Sequence, residues 1–349
     1  MKTIRVSTGK PYDIFIERGV LDDVGSYAAK LSRAQKVCVV SDTNVASLYL
    51  DRVKQSLESA GFAVTAFVFE AGEAQKHLNT IADIYTALAD FGLTRKDIIV
   101  ALGGGVCGDM AGFAAATYLR GIDFIQIPTS LLAQVDSSVG GKTGVDLPRG
   151  KNLVGAFHQP LAVLIDPDTL KTLPQDFIID GMGEVIKYGC IKDADFFRFL
   201  QEEDALSHIE RVIETCVSVK RDVVSRDEKE AGERMLLNFG HTLGHAIEKL
   251  GNFTEISHGM AVAVGMVLMA RAGEKQGLTA KGTAEQIRLL CLKYGLPVST
   301  GYGAGALAQA AMSDKKTAGG SISLVLLSQI GDSFVHRVPL NELEQFIIN

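Results

Sequence analysis

Short apolar runs alternate with amphipathic stretches through the first half of the chain. Residues 97–102 read Asp-Ile-Ile-Val-Ala-Leu, a pattern typical of a strand that is buried on both faces. Further strands are predicted at 36–41, 62–69, 124–127 and 161–165, with helices at about 44–60, up to 91 and up to 118. Alternation of strands and helices is typical of a largely parallel sheet, so we predict an α/β domain here.

The pattern changes after Leu173 and Pro174. From about 175 to 311 most apolar residues recur every three or four positions, which predicts helices. Late in the chain, apolar residues at 322–327 and 334–338 flank Gly331-Asp332 and predict a hairpin, and a short helix is expected after Pro339. We therefore divide the chain into an α/β domain, 1–174, and a mostly α-helical domain, 175–349.

Polar residues between 230 and 245 recur with helical spacing among apolar neighbours. They are Glu230, Arg234, Asn238, His241 and His245, spaced 4, 4, 3 and 4 apart. On one continuous helix they would share a single face. Because unpaired polar groups are costly to bury, such a face predicts a polar ligand or a metal. The alternative is a solvated face stabilised by ion pairs between successive turns.

Composition and charge narrow the class of protein. The net charge of −6 argues against a surface that binds nucleic acid. The sequence contains no run of 18 apolar residues, so no membrane-spanning helix is predicted. The five cysteines form no CxxC pair, and the N-terminal residues lack a secretory pattern. We expect reduced thiols and a cytoplasmic protein that binds neither nucleic acid nor membrane.

Glycine-rich segments suggest where anions bind. A predicted strand ends in Gly103-Gly-Gly-x-x-Gly108-Asp109, which favours a phosphate cradle, although a tight strand–helix packing turn would also need glycines. The segment 138–143 ends in Gly-Lys-Thr, but Asp136 stands where a phosphate-binding P-loop requires glycine, so we reject that motif. Lys142, Lys151 and Asn152 could still contact an anionic ligand.

Two sets of residues could hold a metal. Glu184 and Lys187 share a helix face at i,i+3, a spacing that an ordinary ion pair would also explain. Glu184 with His241 and His258 would form a Glu/His/His set suited to catalytic zinc. His241 and His245, spaced i,i+4, are the pair that helical spacing alone would choose. The residue pattern does not decide between these two sets.

Several long segments together resemble the 3-dehydroquinate synthase family of sugar phosphate cyclases. The resemblance lies in Gly103-Gly-Gly-Val-Cys-Gly-Asp109 and the helix that follows to Gly121, in 127–144, in Lys151-Asn-Leu-Val-Gly-Ala-Phe157, in Gly183-Glu-Val-Ile-Lys187 and in Leu237-Asn-Phe-Gly-His-Thr-Leu-Gly-His245. It covers nearly the whole chain in order. It departs from the family pattern at Ser130, Asp146 and Met260, none of which removes a metal ligand.

The resemblance implies a Rossmann-like NAD-binding N-terminal domain, a helical C-terminal domain that binds metal and substrate, and a homodimer. It implies conversion of a phosphorylated heptulosonate, 3-deoxy-D-arabino-heptulosonate 7-phosphate, to 3-dehydroquinate and phosphate, with NAD and Zn²⁺ or Co²⁺ as cofactors. Its metal ligands are Glu184, His241 and His258, whereas His245 faces substrate. Met260 replaces a common glutamate, so the surroundings of His258 could differ from those in other members.

The resemblance also implies further contacts. Those to NAD are Asp42, Asn44, Gly72, Glu73, Lys76, Gly104, Gly105, Val106, Asp109, Thr129, Ser130, Lys142, Lys151, Thr169 and Thr172. Those to substrate are Arg120, Asp136, Lys142, Asn152, Lys187, Glu230, Arg234, Asn238, His245 and either Lys315 or Lys316. The rival functions are another sugar phosphate cyclase, a metal-dependent polyol dehydrogenase and a non-catalytic binding protein.

Overall fold

The computed structural model describes residues 1–312, 317–318 and 320–348. The chain folds into two compact units. Unit 1 comprises Met1–Leu173 with Lys220–Glu228, and unit 2 comprises Pro174–Val219 with Lys229–Asn349. The boundary predicted at 174 places residues 220–228 in the helical domain, and no sequence pattern indicates that this segment packs with unit 1.

A seven-stranded sheet forms the centre of unit 1 in the described chain. Its strands are β1 (Lys2–Val6), β2 (Tyr12–Ile16), β3 (Lys36–Asp42), β4 (Ala63–Phe69), β5 (Ile98–Gly103), β6 (Asp123–Pro128) and β9 (Ala162–Ile165). The order is β1-β2-β9-β6-β5-β3-β4, and only the β1–β2 pair is antiparallel. The carboxyl ends of the parallel strands therefore share one edge, where α/β proteins bind ligands.

Helices cover both faces of this sheet. They are α1 (Val24–Leu31), α2 (Thr43–Ser59), α3 (Leu78–Asp90) and α4 (Gly105–Thr117). Val37 and Val39 of β3 face a core shared with α1 and α2, whereas Cys38 and Val40 face a core shared with α3 and α4. Alternate side chains of a strand point to opposite faces, so a continuous apolar run supplies both cores.

An antiparallel hairpin adds a second, smaller sheet to unit 1. Strands β7 (Lys142–Leu147) and β8 (Gly150–Phe157) pair from Lys142 with Phe157 to Leu147 with Gly150. Gly144 and Gly155 face each other closely, and a Cβ on Gly155 would lie 2.2 Å from the carbonyl oxygen of Thr143. This hairpin was not predicted, because its glycines and lysines interrupt the alternating pattern of a strand.

Unit 2 is mainly helical. Its helices are α5 (Gln175–Lys192), α6 (Ala194–Glu202), the first part of α7 (Ile209–Arg226), α8 (His241–Leu250), α9 (His258–Lys275), α10 (Thr283–Lys293), α11 (Ala304–Met312) and α12 (Leu343–Ile348). A small antiparallel sheet has the order β10 (Thr317–Ala318), β11 (Ser321–Gln329) and β12 (Asp332–Pro339). Helix α9 buries residues all round its circumference, which marks it as the central helix of the unit.

The predicted strands, the late hairpin and the helix after Pro339 are confirmed, and so is the α/β fold followed by a helical region. The prediction of one continuous helix from 230 to 245 is wrong. Residues Glu233–Asn238 form 3-10 turns, and Gly240, with φ 79°, ends that geometry before α8 begins. A left-handed glycine cannot continue a helix, so the sequence spacing described a face that does not exist.

None of the helices in the described part of the chain is long and apolar enough to cross a membrane.

Candidate metal centre and flanking sites

Three side chains of unit 2 converge on one point. Glu184 lies within α5, His241 is the first residue of α8, and His258 is the first residue of α9. Nε2 of His241 lies 3.4 Å from Oε1 of Glu184, and Nε2 of His258 lies 3.5 Å from the same oxygen. Within the described residues, these three form a group whose candidate ligand atoms all lie within 4.8 Å of one another.

Close backbone contacts bring the three helices together. A Cβ on Gly183 would lie 2.3 Å from the carbonyl oxygen of Gly259, and a Cβ on Gly265 would lie 2.0 Å from that of Gly240. Only glycine fits where backbones approach so closely. Gly183 precedes Glu184 and Gly259 follows His258, so this α5–α9 contact sets the separation of two candidate ligands.

Asp180 fixes the start of α9 from a neighbouring helix. Its Oδ1 accepts hydrogen bonds from the backbone N–H of Gly259 at 2.7 Å and of Met260 at 3.3 Å. The local N-cap residue, Ser257, makes no side-chain capping bond. Asp180 and Glu184 are four residues apart on α5, so one turn of that helix both caps α9 and faces the first residue of α9.

The donor set fits a tetrahedral divalent cation. Zinc–nitrogen bonds of ~2.0–2.1 Å give ligand–ligand distances of about 3.4 Å around a tetrahedron. The separations of Oε1 of Glu184 from the two imidazole nitrogens match that value. Lys187 forms an ion pair with Oε2, yet no contact to either oxygen among the described residues has hydrogen-bond geometry. A fully buried carboxylate in this state fits a cation as its partner.

The second nitrogen of each imidazole also has a partner. Nδ1 of His241 lies 3.2 Å from the carbonyl oxygen of Phe239, and Nδ1 of His258 lies 3.4 Å from Oε2 of Glu248. In both rings Nε2 is therefore the nitrogen directed at Glu184. Burial opposes a charge on His258, but the adjacent carboxylates of Glu184 and Glu248 raise the pKa of its imidazole to about 10.

His245 lies beside the group without joining it. Its ring centroid is 5.5 Å from that of His241 and 5.8 Å from that of His258. A second group of possible ligands in the described chain contains His245, Glu248 and His258, and no such group contains both His241 and His245. The geometry thus favours the Glu/His/His set over the pair that helical spacing chose.

The remaining substrate candidates of unit 2 lie on the 3-10 segment and near it. Arg234 is 1% exposed, and Nδ2 of Asn238 donates to Oε1 of Glu230 at 2.6 Å. Glu230 has a positive φ of 61°, a strained conformation that this hydrogen bond helps to hold. Lys187 is 1% exposed. Lys315 and Lys316 lie outside the described residues.

In unit 1 most candidates follow the carboxyl ends of strands. Asp42 ends β3, and its Oδ1 accepts the backbone N–H groups of Asn44 and Val45, capping α2. Gly104 and Gly105 follow β5, and Thr129 and Ser130 follow β6; Val106 and Asp109 lie in the first turns of α4, and Thr169 and Thr172 lie in the 3-10 turn after β9. The sheet topology therefore gathers side chains that are more than 100 residues apart in sequence.

The glycine-rich turn brings backbone close to neighbouring polar groups. A Cβ on Gly105 would lie 3.2 Å from Oγ of Ser137, and a Cβ on Gly108 would lie 2.1 Å from Nε2 of Gln126. Gly108 thus also serves tight packing of α4 on the sheet. The packing interpretation therefore holds for Gly108, and the phosphate cradle at Gly104 and Gly105 stays a prediction.

A buried lysine connects several candidates of unit 1. Nζ of Lys76 donates to Oδ2 of Asp109 and to Oδ1 of Asn152, each at 2.7 Å. Asp146 accepts from the N–H of Asn152 and donates its own N–H to the carbonyl oxygen of Lys76. Burial disfavours the charge of Lys76, but the carboxylates of Asp109 and Glu73 raise the pKa of its ammonium group. Asn152 adopts a positive φ of 52° within this network.

Lys220 is a buried cation that the sequence analysis missed. It is 6% exposed, and its Nζ donates to the carbonyl oxygen of Asp136 at 2.7 Å and to Oδ1 at 2.8 Å. The available signal was a lysine among buried apolar residues of α7, with Val217 and Val223 three residues away on either side. Such a lysine requires a partner.

Other predicted contacts are more exposed. Lys142 begins β7 with an exposed side chain, and Nζ of Lys151 lies 3.8 Å from Oε1 of Glu73. Gly72 has a φ of 125°, and Arg120, with φ 68°, follows Leu119 in a left-handed turn. Their contacts with NAD and substrate stay predictions.

Comparisons with known proteins agree with the resemblance. A family model described as 3-dehydroquinate synthase N-terminal matches residues 66–180, and one described as 3-dehydroquinate synthase C-terminal matches 181–317. The 3-dehydroquinate synthase of Streptococcus gordonii is 52% identical over 343 residues, covering 97% of each chain.

Solved structures of related cyclases share the fold over almost the whole chain. A 2-deoxy-scyllo-inosose synthase complexed with carbaglucose-6-phosphate, NAD⁺ and Co²⁺ superimposes with a TM-score of 0.89, at 27% identity and 99% coverage of each chain. A 2-epi-5-epi-valiolone synthase from Streptomyces hygroscopicus with NAD⁺ and Zn²⁺ bound has a TM-score of 0.87, at 27% identity over 97% of this chain and 96% of that one. Two consecutive family models and a relative that shares half of its positions end to end show that this chain belongs to the 3-dehydroquinate synthase family.

Proposed function

We propose that this chain converts 3-deoxy-D-arabino-heptulosonate 7-phosphate to 3-dehydroquinate and phosphate, using NAD and a divalent cation, Zn²⁺ or Co²⁺. The observation that carries the proposal is the convergence of Glu184, His241 and His258 at ligand distances. It occurs in a chain 52% identical to a 3-dehydroquinate synthase. The related cyclase structures that contain NAD⁺ with Co²⁺ or Zn²⁺ support both cofactors.

The three ligands would leave at least one coordination position for substrate, as in catalytic zinc sites. When bound, the cation would polarise substrate oxygens, and NAD would accept a hydride and later return it. The chain's own contribution is to hold the cation, NAD and the substrate in the orientation that the reaction needs. This lowers the activation barrier by orientation rather than by covalent catalysis.

Arg234 is our candidate for the substrate carboxylate. Its guanidinium is buried, and a buried planar fork of N–H donors suits a carboxylate better than a point charge does. Asn238 and Glu230, joined by their hydrogen bond, border the same 3-10 segment. His245, beside the proposed ligands, would contact substrate rather than metal. Lys142 and Asn152 are the candidates for the phosphate.

We assign NAD to the α/β region, 1–174, and metal and substrate to 175–349. Asp42, the glycine-rich turn after β5 and Thr129 with Ser130 lie at the carboxyl edge of a parallel sheet, where dinucleotides bind in doubly wound folds. The helix that follows the glycines directs backbone N–H groups towards an anion. Support for this division comes from the sheet topology and the family, and mutation of Asp42 should raise the KM for NAD.

A cytoplasmic homodimer is the assembly that the family resemblance supports. All five cysteines are buried and free, which suits a reducing compartment. Sedimentation of the purified protein measures the assembly directly, and a monomer that retains full activity would contradict it.

One assay separates the proposed reaction from a polyol dehydrogenase. Purified protein is incubated with the heptulosonate phosphate, Co²⁺ or Zn²⁺ and NAD at a hundredth of the substrate concentration. We expect complete release of phosphate with no lasting NADH, because hydride is returned in each turnover. Conversion of the added NAD to lasting NADH without phosphate release would establish the dehydrogenase instead.

A second assay separates the proposed reaction from that of a cyclase that acts on another sugar phosphate. Glucose 6-phosphate, which lacks a carboxylate, replaces the heptulosonate phosphate under the same conditions. We expect no phosphate release from glucose 6-phosphate, and a large loss of activity towards the heptulosonate phosphate in Arg234→Met. Faster turnover of the hexose phosphate would assign this chain to a different cyclase reaction.

A further inference from the structure

We propose that Glu248 is a positioning residue of the metal site, because its carboxylate accepts a hydrogen bond from Nδ1 of His258 and so keeps Nε2 of that ring directed at Glu184. The inference rests on the proposed metal site and deepens it. It concerns a side chain outside the three proposed ligands. It also identifies what surrounds His258 in a chain whose residue 260 is methionine.

The geometry places Glu248 behind His258. Oε2 of Glu248 lies 3.4 Å from Nδ1 of His258, while Nε2 of the same ring lies 3.5 Å from Oε1 of Glu184. The imidazole thus lies between two carboxylates from two different helices. Glu248 is seven residues after His241 on α8, which is about two helical turns, so both residues occupy one face of that helix. Helix α8 therefore supplies one proposed ligand and the group that orients another.

Burial makes a purely structural carboxylate at this position expensive. Glu248 is 1% exposed, and its neighbours Ala246 and Ile247 are buried apolar residues. A carboxylate loses much hydration when it is buried, so it needs charged or hydrogen-bonding partners there. An imidazole that must carry its proton on Nδ1 is such a partner.

Imidazole chemistry gives this contact a consequence for the metal. A neutral histidine carries one N–H and one lone pair, and the hydrogen bond made by one nitrogen decides which nitrogen can bind a cation. A carboxylate acceptor also makes the ring a stronger ligand, as in carboxylate–histidine–zinc arrangements. Glu248 thereby selects the tautomer of His258 whose lone pair is on Nε2.

The two proposed histidine ligands differ in how firmly their surroundings hold them. The side chain of His241 is 11% exposed and its Nδ1 contacts a neutral carbonyl oxygen, that of Phe239. The side chain of His258 is 32% exposed and follows a loop, so its ring has more freedom to turn. Charged acceptors form the stronger hydrogen bonds, and the less enclosed ring has the charged acceptor.

Binding of Co²⁺ to the metal-free protein tests the proposal without an activity assay. Chelator-treated wild type, Glu248→Ala and Glu248→Gln are titrated with Co²⁺ alone, followed by visible absorption and by competition with a chelator of known affinity. We expect Glu248→Ala to weaken Co²⁺ binding by roughly 10–100-fold and to change the absorption spectrum, since the ring can turn. Glu248→Gln, which keeps an acceptor oxygen, should bind within roughly tenfold of wild type.

Two further variants make the outcomes distinguishable. Glu255→Gln removes an exposed negative charge from the loop before His258 and should bind Co²⁺ like wild type. Glu184→Ala should abolish binding at this site, and wild-type affinity in Glu184→Ala would refute the proposed metal site itself. If Glu184→Ala loses Co²⁺ while Glu248→Ala binds it with unchanged affinity and spectrum, the positioning role is refuted and the metal site stands.

Stoichiometry provides the remaining check. One equivalent of Co²⁺ per chain in wild type and in Glu248→Gln supports a positioning role. Two equivalents in wild type, with the second lost in Glu248→Ala, would make Glu248 a ligand, together with His245 and His258, and would overturn the proposal. A lower melting temperature of metal-free Glu248→Ala with unchanged Co²⁺ binding would also overturn it, because it would show a structural role only.

Discussion

Buried charges are satisfied in different ways in the two units. In unit 1, Lys76 donates to Asp109 and Asn152 at 2.7 Å each, so the cation, the carboxylate and the amide satisfy one another. In unit 2, Glu184 is fully buried and forms an ion pair with Lys187. The nearest imidazole nitrogens, at 3.4 and 3.5 Å from its Oε1, make no hydrogen bond to it. The first arrangement is complete by itself, whereas the second has the spacing of ligands around a cation.

The two regions thus differ in whether their buried charges are already hydrogen-bonded within the fold or are arranged at the spacing of metal ligands. Residues that satisfy each other stabilise the protein whether or not a cofactor is bound. Residues that face one another at ligand spacing gain a further partner when a cation binds, and binding then contributes to stability. Removing a member of the first group should therefore destabilise the protein with or without metal, whereas removing a member of the second should reduce the stabilisation that metal gives.

The largest expected effect is on metal binding. His258→Ala should weaken Zn²⁺ or Co²⁺ binding by roughly 1,000-fold or more. The reason is that only three protein ligands together supply ~10 kcal/mol or more of binding free energy. His245→Ala should keep the metal and lose substrate turnover. Metal analysis of the two purified variants measures this, and a metal-free His245→Ala would show that the ligand assignment is wrong.

In unit 1, Lys76→Met should destabilise the protein whether metal is present or absent. It leaves the carboxylate of Asp109 without its cation, and breaking a buried pair in this way costs about 3–5 kcal/mol. Urea unfolding with and without Zn²⁺ is the measurement. The matched control is Lys151→Met. Nζ of Lys151 lies 3.8 Å from Oε1 of Glu73, so this substitution should lower the free energy of unfolding by less than about 1 kcal/mol.

Gly259→Ala should disturb the metal group through the backbone alone. The new Cβ would lie 1.8 Å from the carbonyl oxygen of Asp180, so α5 and α9 must separate, at a cost of about 1–3 kcal/mol or more. Since Glu184 and His258 flank this contact, metal affinity should fall as well. Gly301→Ala, with no atom within 4 Å of its Cβ, is the control and should change neither quantity.

Asp180→Ala should have a smaller effect of the same kind. Loss of a capping acceptor typically costs about 1–2 kcal/mol, and here it frees the N-terminus of α9 that carries His258. The melting temperature and the affinity for Co²⁺ should both fall. If Asp180→Ala loses stability but binds Co²⁺ as wild type does, the cap stabilises α9 without positioning His258.

The smallest effect concerns acid stability. Burial opposes ionisation of Asp97, but hydrogen bonds from Thr94 and from the N–H groups of Lys36 and Gln35 hold the pKa of its carboxyl below the usual value. The stabilisation is therefore present above the unfolded pKa of about 3.9 and is lost as pH falls through the lower folded value. Asp97→Asn should be less stable at pH 7 by about 1–2 kcal/mol, and urea midpoints should converge with those of wild type below pH 4.

Much of the fold could be predicted from local pattern. Apolar runs long enough for one strand predicted β3, β5 and β9, because a strand covered on both faces excludes polar residues. The β7–β8 hairpin was not predictable in this way, since its close glycine pairing depends on a partner strand. The ion pair of Lys187 with Glu184 was predictable from i,i+3 spacing, whereas the pairing of Lys220 with Asp136 joins residues 84 positions apart.

The sequence by itself determined the alternation of strands and helices, the family, and the identity of the groups able to hold a cation, because each of these is a property of residue type and spacing. Only the tertiary structure decided which histidines meet Glu184. Spacing along one helix selected His241 and His245, which do lie one turn apart on α8, but α9 brings His258 to Glu184 from 17 residues further on. Glycine contacts between backbones, and the cap that Asp180 supplies from another helix, set those distances. They act between elements that are distant in sequence, where no local period can encode them.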